Sequence, residues 1–222
     1  MSQHAPLSAS AAPRAFPTVP LARASERLKQ VGAPRVLVVM GVSGSGKSTL
    51  AQLLARRVGW PIIEGDELHP EANIAKMSAG IPLTDADRAP WLEKIGAVAR
   101  DWLQGGGCGI VTCSSLKRRY RDVITGGDAR VCFVYLKGRP EDIAPRLGQR
   151  TGHFMPASML TSQFAALEEP DDSEVLLELD VTASRTSLVE AAYETLLELA
   201  TPDHPLCRPA DARAIAPKAA LG

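Results

Sequence analysis

No stretch of this chain is apolar for the roughly 20 residues that a membrane-spanning helix needs. One sign of charge does not dominate either: 25 Lys and Arg balance 25 Asp and Glu, and the sequence pI is about 6.9. A nucleic-acid partner would require a basic patch or stripe, and this balance offers none. Cysteine is scarce and unpaired in spacing. Cys108, Cys113, Cys132 and Cys207 form no C-x-x-C pair, which excludes a sequence-encoded zinc ribbon or a disulfide framework. Cys132 alternates with apolar residues and reads as a buried thiol. A reducing, cytoplasmic setting is therefore expected. The first 33 residues are rich in Ala, Ser and Pro and lack the apolar core of a secretory signal. They read as a disordered tail, and residues 201–222, with scattered Pro and Ala, read as a second, flexible one.

Between the tails lies one motif with direct chemical meaning. Gly41 to Ser48 spell GVSGSGKS immediately after the apolar run Val36–Met40. This is G-x-x-x-x-G-K-[ST] between a predicted buried strand and a predicted helix, Ser48–Val58. The glycines let backbone N–H groups wrap a phosphate chain, and the helix start adds positive partial charge. Gly41, Val42, Ser43, Gly44, Ser45 and Gly46 form the cradle, and Lys47 reaches the β- and γ-phosphates. Ser48 is the expected Mg²⁺ ligand, and Thr49 a further hydrogen-bond donor to the α-phosphate. The chain is expected to bind a nucleoside triphosphate.

From 34 to 200 the pattern alternates strand and helix, which predicts a parallel sheet with crossover helices. Short apolar runs mark the strands: Val36–Met40, Pro61–Ile63, Gly109–Cys113, Val131–Leu136 and Val175–Leu179. Thr84 with Asp87 predicts a capping box opening a helix through Trp91, and Ser187 with Glu190 predicts another for the last helix. The expected architecture is α/β, three layers, with about five parallel strands. In such sheets ligands bind beyond the carboxyl ends of the strands. Glu64-Gly65-Asp66 follows the second strand there, and Ser114 to Arg118 follow the third.

A phosphate loop specifies a nucleotide, not a reaction. The N-K-x-D tetrad of GTPases is absent, which turns the reading towards a small-molecule kinase. Asp66 stands where an acceptor hydroxyl could meet a general base or an orienting carboxylate. Arg146 and Arg150 lie four apart, so a helix would carry both on one face, leading into a loop with Gly152. That suits a lid over about 140–165 that closes on triphosphate and neutralises charge on the transferred group.

Several blocks together resemble gluconokinase of the small phosphate-loop type. They are GVSGSGKS, Glu64–Leu92 (EGDELHPEANIAKMSAGIPLTDADRAPWL), Cys113–Asp122 (CSSLKRRYRD), Tyr135–Gly138 (YLKG) and Arg150–Pro170 (RTGHFMPASMLTSQFAALEEP). The resemblance runs over Arg35–Leu199. It implies the fold of nucleoside-monophosphate kinases with a small helical lid, and phosphorylation of D-gluconate by ATP with Mg²⁺ to give 6-phospho-D-gluconate. A homodimer is also implied. On this reading Lys47, Asp66 and Arg150 are catalytic, and Arg146 joins the nucleotide site. Glu64 would hold a magnesium-bound water. His69, Arg88, Lys117, Arg118 and His153 would join Asp66 in contacting substrate, Arg88 because a carboxylate suits a planar two-pronged donor. A kinase of the same fold acting on another small acid, such as shikimate, is the nearest alternative.

Overall fold

In the computed structural model the described residues are 21–147, 157–202 and 206–207. In chain order, strand β1 (Ala22–Ala24) and helix α1 (Glu26–Val31) precede β2 (Val36–Met40), which runs into the phosphate loop and α2 (Lys47–Val58). Then come β3 (Ile62–Ile63), a 3₁₀ turn over Gly65–Leu68, α3 (Glu71–Ser78) and α4 (Asp85–Gln104). The second half runs β4 (Gly109–Thr112), α5 (Arg118–Thr125), β5 (Val131–Lys137), α6 (Pro140–Leu147), α7 (Ala157–Ala166), β6 (Leu176–Asp180) and α8 (Arg185–Glu198).

The sheet has the order β1-β6-β5-β2-β4-β3. Strands β2 to β6 pair in parallel, as the alternating pattern predicts, and β1 adds an antiparallel edge on β6. Alternate side chains of β2 serve two cores. Leu37 and Val39 face a layer containing Leu50, Leu54, Leu188 and Ala192 of α2 and α8. Val36, Val38 and Met40 face Trp91, Ile95 and Trp102 of α4 and Ile124 of α5. A strand covered on both sides must be apolar throughout, which is why Val36–Met40 reads VLVVM. Because β2 sits between β5 and β4, the chain changes direction around it, and the crevice at its carboxyl end is where this architecture binds ligands.

Three expectations require correction. Residues 21–33, expected to be tail, hold β1 and α1. Ser25, fully buried, accepts the N–H groups of Leu28 and Leu176 and donates to the carbonyl of Glu174, so the segment is keyed to β6. Leu28 is in the core. At the other end, Trp60 Nε1–H donates to the carbonyl of Cys207, which is buried although it falls in the expected 201–222 tail. The last helix starts at Arg185, capped by Ser184, whose hydroxyl accepts the N–H of Ser187. The Ser187–Glu190 box does not form, because Ser187 already lies inside the first turn. The Thr84–Asp87 box forms as predicted.

Candidate active site

Gly41, Gly44 and Gly46 all have positive φ (141°, 81° and 102°), a path that a side chain would strain. The loop they build leads into α2 with no side-chain cap, which leaves its first N–H groups open to an anion. Lys47 Nζ folds over the loop and donates to the carbonyls of Gly41 and Val42, both at 3.1 Å. From there it reaches the mouth of the cradle. Ser43 N–H donates to Gln163 Oε1 at 2.6 Å, so α7 touches the loop directly.

On the β5–β6 side of the loop lies a cavity of about 510 Å³. Gly44, Ser45, Gly46, Thr49 and Leu50 form one wall, and Leu136, Ala183, Ser184, Arg185 and Leu188 the other. Arg146 overhangs it and donates to the carbonyl of Val181 at 2.5 Å. Two guanidinium groups beside a cavity that borders open N–H groups suit a polyphosphate nucleotide. Arg150 and His153 lie outside the described residues.

The β4–β3 side carries the carboxylates. Glu64 Oε2 accepts hydrogen bonds from Ser48 Oγ at 3.0 Å and Thr112 Oγ1 at 2.7 Å. Its other oxygen, Oε1, is buried with no hydrogen-bond partner among the described residues. An acceptor left over in such a place fits a magnesium-bound water, and the Ser48 hydroxyl, having donated its proton to Glu64, keeps lone pairs for the ion. Among the described residues no group of three or more His, Cys, Asp or Glu could cage a metal.

Asp66, two residues on, is exposed, and no described side chain hydrogen-bonds or ion-pairs with its carboxylate. Both Asp66 and Lys47 act electrostatically on Cys113, which follows β4. Burial pushes the Cys113 thiol up to about 11, so it stays protonated and is no nucleophile.

His69 stacks on Trp91 with ring centroids 4.1 Å apart. Asn73 Nδ2 approaches His69 Nδ1 at 3.3 Å while also donating to the Asp87 carbonyl at 2.7 Å. An amide N–H needs an acceptor, so Nδ1 is unprotonated and Nε2–H is the available donor. Burial lowers the His69 pKa below its ordinary 6.5; Asp66 opposes this and Arg88 adds to it, which places all three groups in one neighbourhood. Arg88 is half-buried and donates to the carbonyl of Leu83 at 2.5 Å. It pairs with neither Asp85 nor Asp87: Asp87 holds Lys76 and the Thr84 cap, and Asp85 holds Lys117, Arg119 and Tyr120.

The structure thus gathers Gly41 to Thr49, Glu64, Asp66, His69, Arg88 and Arg146 around one crevice. Lys117 is tied to Asp85 at 3.2 Å, at the start of α4. Arg118 departs from expectation. It pairs with Asp122 on its own helix and with Glu174 and Ser173, turned to the acidic 171–174 turn. Sequence reasoning missed Arg185, Thr112 and Gln163.

A phosphate loop on a central parallel strand, a nucleotide-sized cavity on one flank and paired carboxylates on the other define a phosphate-loop kinase of the nucleoside-monophosphate-kinase type. The AAA domain family matches residues 36–170, and a gluconokinase of Gluconobacter oxydans is 52% identical over 158 residues, covering 69% of this chain and 86% of that protein. The chain belongs to the gluconokinase family. A solved gluconokinase from Sinorhizobium meliloti is 44% identical with a TM-score of 0.68, covering 76% of this chain and 94% of that one. A sugar kinase from Janibacter matches at 44% identity and a TM-score of 0.70, covering 81% and 98%.

Proposed function

We propose that this protein transfers the terminal phosphoryl group of ATP to the 6-hydroxyl of D-gluconate. One observation carries the reading: Gly46 lines a nucleotide-sized cavity while Ser48, two residues on, donates to Glu64, so the phosphate loop joins the two flanks where donor and acceptor would meet. Phosphoryl transfer asks a protein mainly to align two oxygens with phosphorus and to stabilise spreading negative charge. Lys47 exchanges the Gly41 and Val42 carbonyls for the β- and γ-phosphates. Asp66, exposed and without a described partner, orients the acceptor hydroxyl and takes its proton as the bond to phosphorus forms. Mg²⁺, bound through the Ser48 hydroxyl and a water on Glu64, would neutralise charge between the β- and γ-phosphates.

His69 Nε2–H offers a donor to a sugar hydroxyl. Arg88, with no carboxylate of its own among the described residues, is the partner for the substrate carboxylate. Lys117 would join it on leaving Asp85; Arg118 has no part in this reading. Arg150 and His153 belong to the proposal as lid residues that complete the closed site. Arg146 and Arg185 hold the nucleotide. A homodimer in a reducing cytoplasm completes the reading; the four buried cysteine thiols support the setting.

The test is purified protein with Mg·ATP and a panel of aldonic acids and shikimate, with ADP release coupled to NADH oxidation. Gluconate as the one strong acceptor is expected. Equal turnover with shikimate, or ATP hydrolysis indifferent to every acid, would overturn it.

A further inference from the structure

Between the two carboxylates, Gly65 is gripped from three sides. Its N–H donates to Thr112 Oγ1 at 3.1 Å, and its carbonyl accepts from Trp91 Nε1–H at 2.6 Å. A Cβ at this position would stand 1.9 Å from the Thr112 carbonyl oxygen, so the backbone lies flat against the end of β4. Thr112 itself is buried.

A hydroxyl carries a single proton, and that fixes the sense of the chain. Thr112 Oγ1 accepts the Gly65 N–H, and since an ionised carboxylate oxygen can only accept, its own proton goes to Glu64 Oε2, 2.7 Å away. Ser48 donates to the same oxygen at 3.0 Å. Oε2 is thereby saturated, and Oε1 is left buried with no partner among the described residues. We infer that Thr112 is a positioning residue: its hydroxyl orients Glu64 towards the metal-bound water, and its grip on Gly65 sets the backbone from which Asp66 projects. The inference rests on the kinase reading above.

Without the hydroxyl, Glu64 loses one of its two tethers and rotates, and the Gly65 N–H is left buried and unpaired. The consequence belongs to the metal rather than to the nucleotide. The cradle glycines and the cavity lie apart from Thr112: Lys47 donates to the Gly41 and Val42 carbonyls, and the cavity is lined from the β5–β6 side.

The test uses the full chain, as wild type, Thr112→Val and Thr112→Ser, with ATP titrated by calorimetry in the presence and absence of Mg²⁺. Thr112→Val is expected to bind metal-free ATP within about twofold of wild type, while the tightening caused by Mg²⁺ shrinks about tenfold. Thr112→Ser, which restores the hydroxyl and removes only a methyl group, is expected to recover that tightening. Mn²⁺ bound to the ATP complex should show a changed paramagnetic resonance spectrum in Thr112→Val alone. Should the valine variant fail to fold, Thr112→Ala takes its place. A valine or alanine variant with wild-type Mg²⁺ dependence would overturn the role of Thr112 and leave the kinase reading standing. A serine variant as impaired as valine would overturn it too, since packing alone would then explain the loss. Wild type without any Mg²⁺-dependent tightening would bring down both.

Discussion

Among single residues, Asp66 is the proposed base. It is exposed, with no described side-chain partner, so its removal costs the fold little. Asp66→Asn should lower kcat by about 10²- to 10⁴-fold with ATP affinity nearly unchanged, checked by steady-state kinetics beside a nucleotide titration. Arg88→Lys should instead raise KM for the acid about tenfold at similar kcat, because a point charge replaces a two-pronged donor. The same KM with lysine would remove Arg88 from the carboxylate pocket. His69 adds a pH signature. Its folded pKa lies below the 6.5 of the unfolded chain, chiefly through burial. The unfolded state therefore binds more protons in that window, and stability is complete above pH 6.5 and declines as pH falls towards the folded value. Chemical denaturation at about pH 5 and about pH 7.5 should show a smaller difference for His69→Gln than for wild type.

For elements, the contrast between phosphate loop and acceptor side is instructive. The loop was readable because its chemistry is local: glycines, Lys47 and Ser48 are consecutive, and backbone N–H groups do the binding. On the acceptor side each role depends on what another element brings. Lys117 and Arg118 are neighbours following β4, yet one meets α4 through Asp85 while the other turns to Asp122 and Glu174. Arg88 could have paired with Asp85 or Asp87 on its own helix; both were taken by other groups. The turn from β3 into the 3₁₀ helix is the most constrained point. Gly65→Ala would force a Cβ against the Thr112 carbonyl, since 1.9 Å leaves no room. Overpacking of this kind costs about 1–3 kcal/mol or more. A lowered Tm together with a fall in kcat is expected; a loss of stability alone would mean that the turn does not set the carboxylates.

At the scale of the molecule, the edge of the sheet depends on the segment that composition marked as tail. β1 caps the open edge of β6, and Leu28 of α1 is fully buried in the core. A chain beginning at Ala33 should melt at a lower temperature and aggregate, since it exposes both an unpaired strand edge and a core pocket. Thermal unfolding followed by light scattering checks this; unchanged melting would make the segment dispensable. A second tie crosses the fold inside. Arg121, 1% exposed, pairs with Glu174 through two hydrogen bonds of 2.6 and 2.9 Å and also donates to the carbonyls of Ser115 and Glu168. That joins the loop after β4 to the segment before β6.

The amino-acid sequence by itself determined what neighbours along the chain can decide: five apolar strands in parallel order, the phosphate cradle, the Thr84–Asp87 cap and the family blocks. Hydrophobic period, glycine placement and capping act within a few residues, so they are written in consecutive letters. Only the tertiary structure decided which side chains are engaged and which stand available. It paired Arg118 away from the crevice, brought Thr112 under Glu64, laid Arg185 along the nucleotide cavity, and keyed Ser25 into β6. Each of those is a contact between segments far apart in the chain. A hydrogen bond or ion pair there depends on three-dimensional distance, which no spacing in the sequence records.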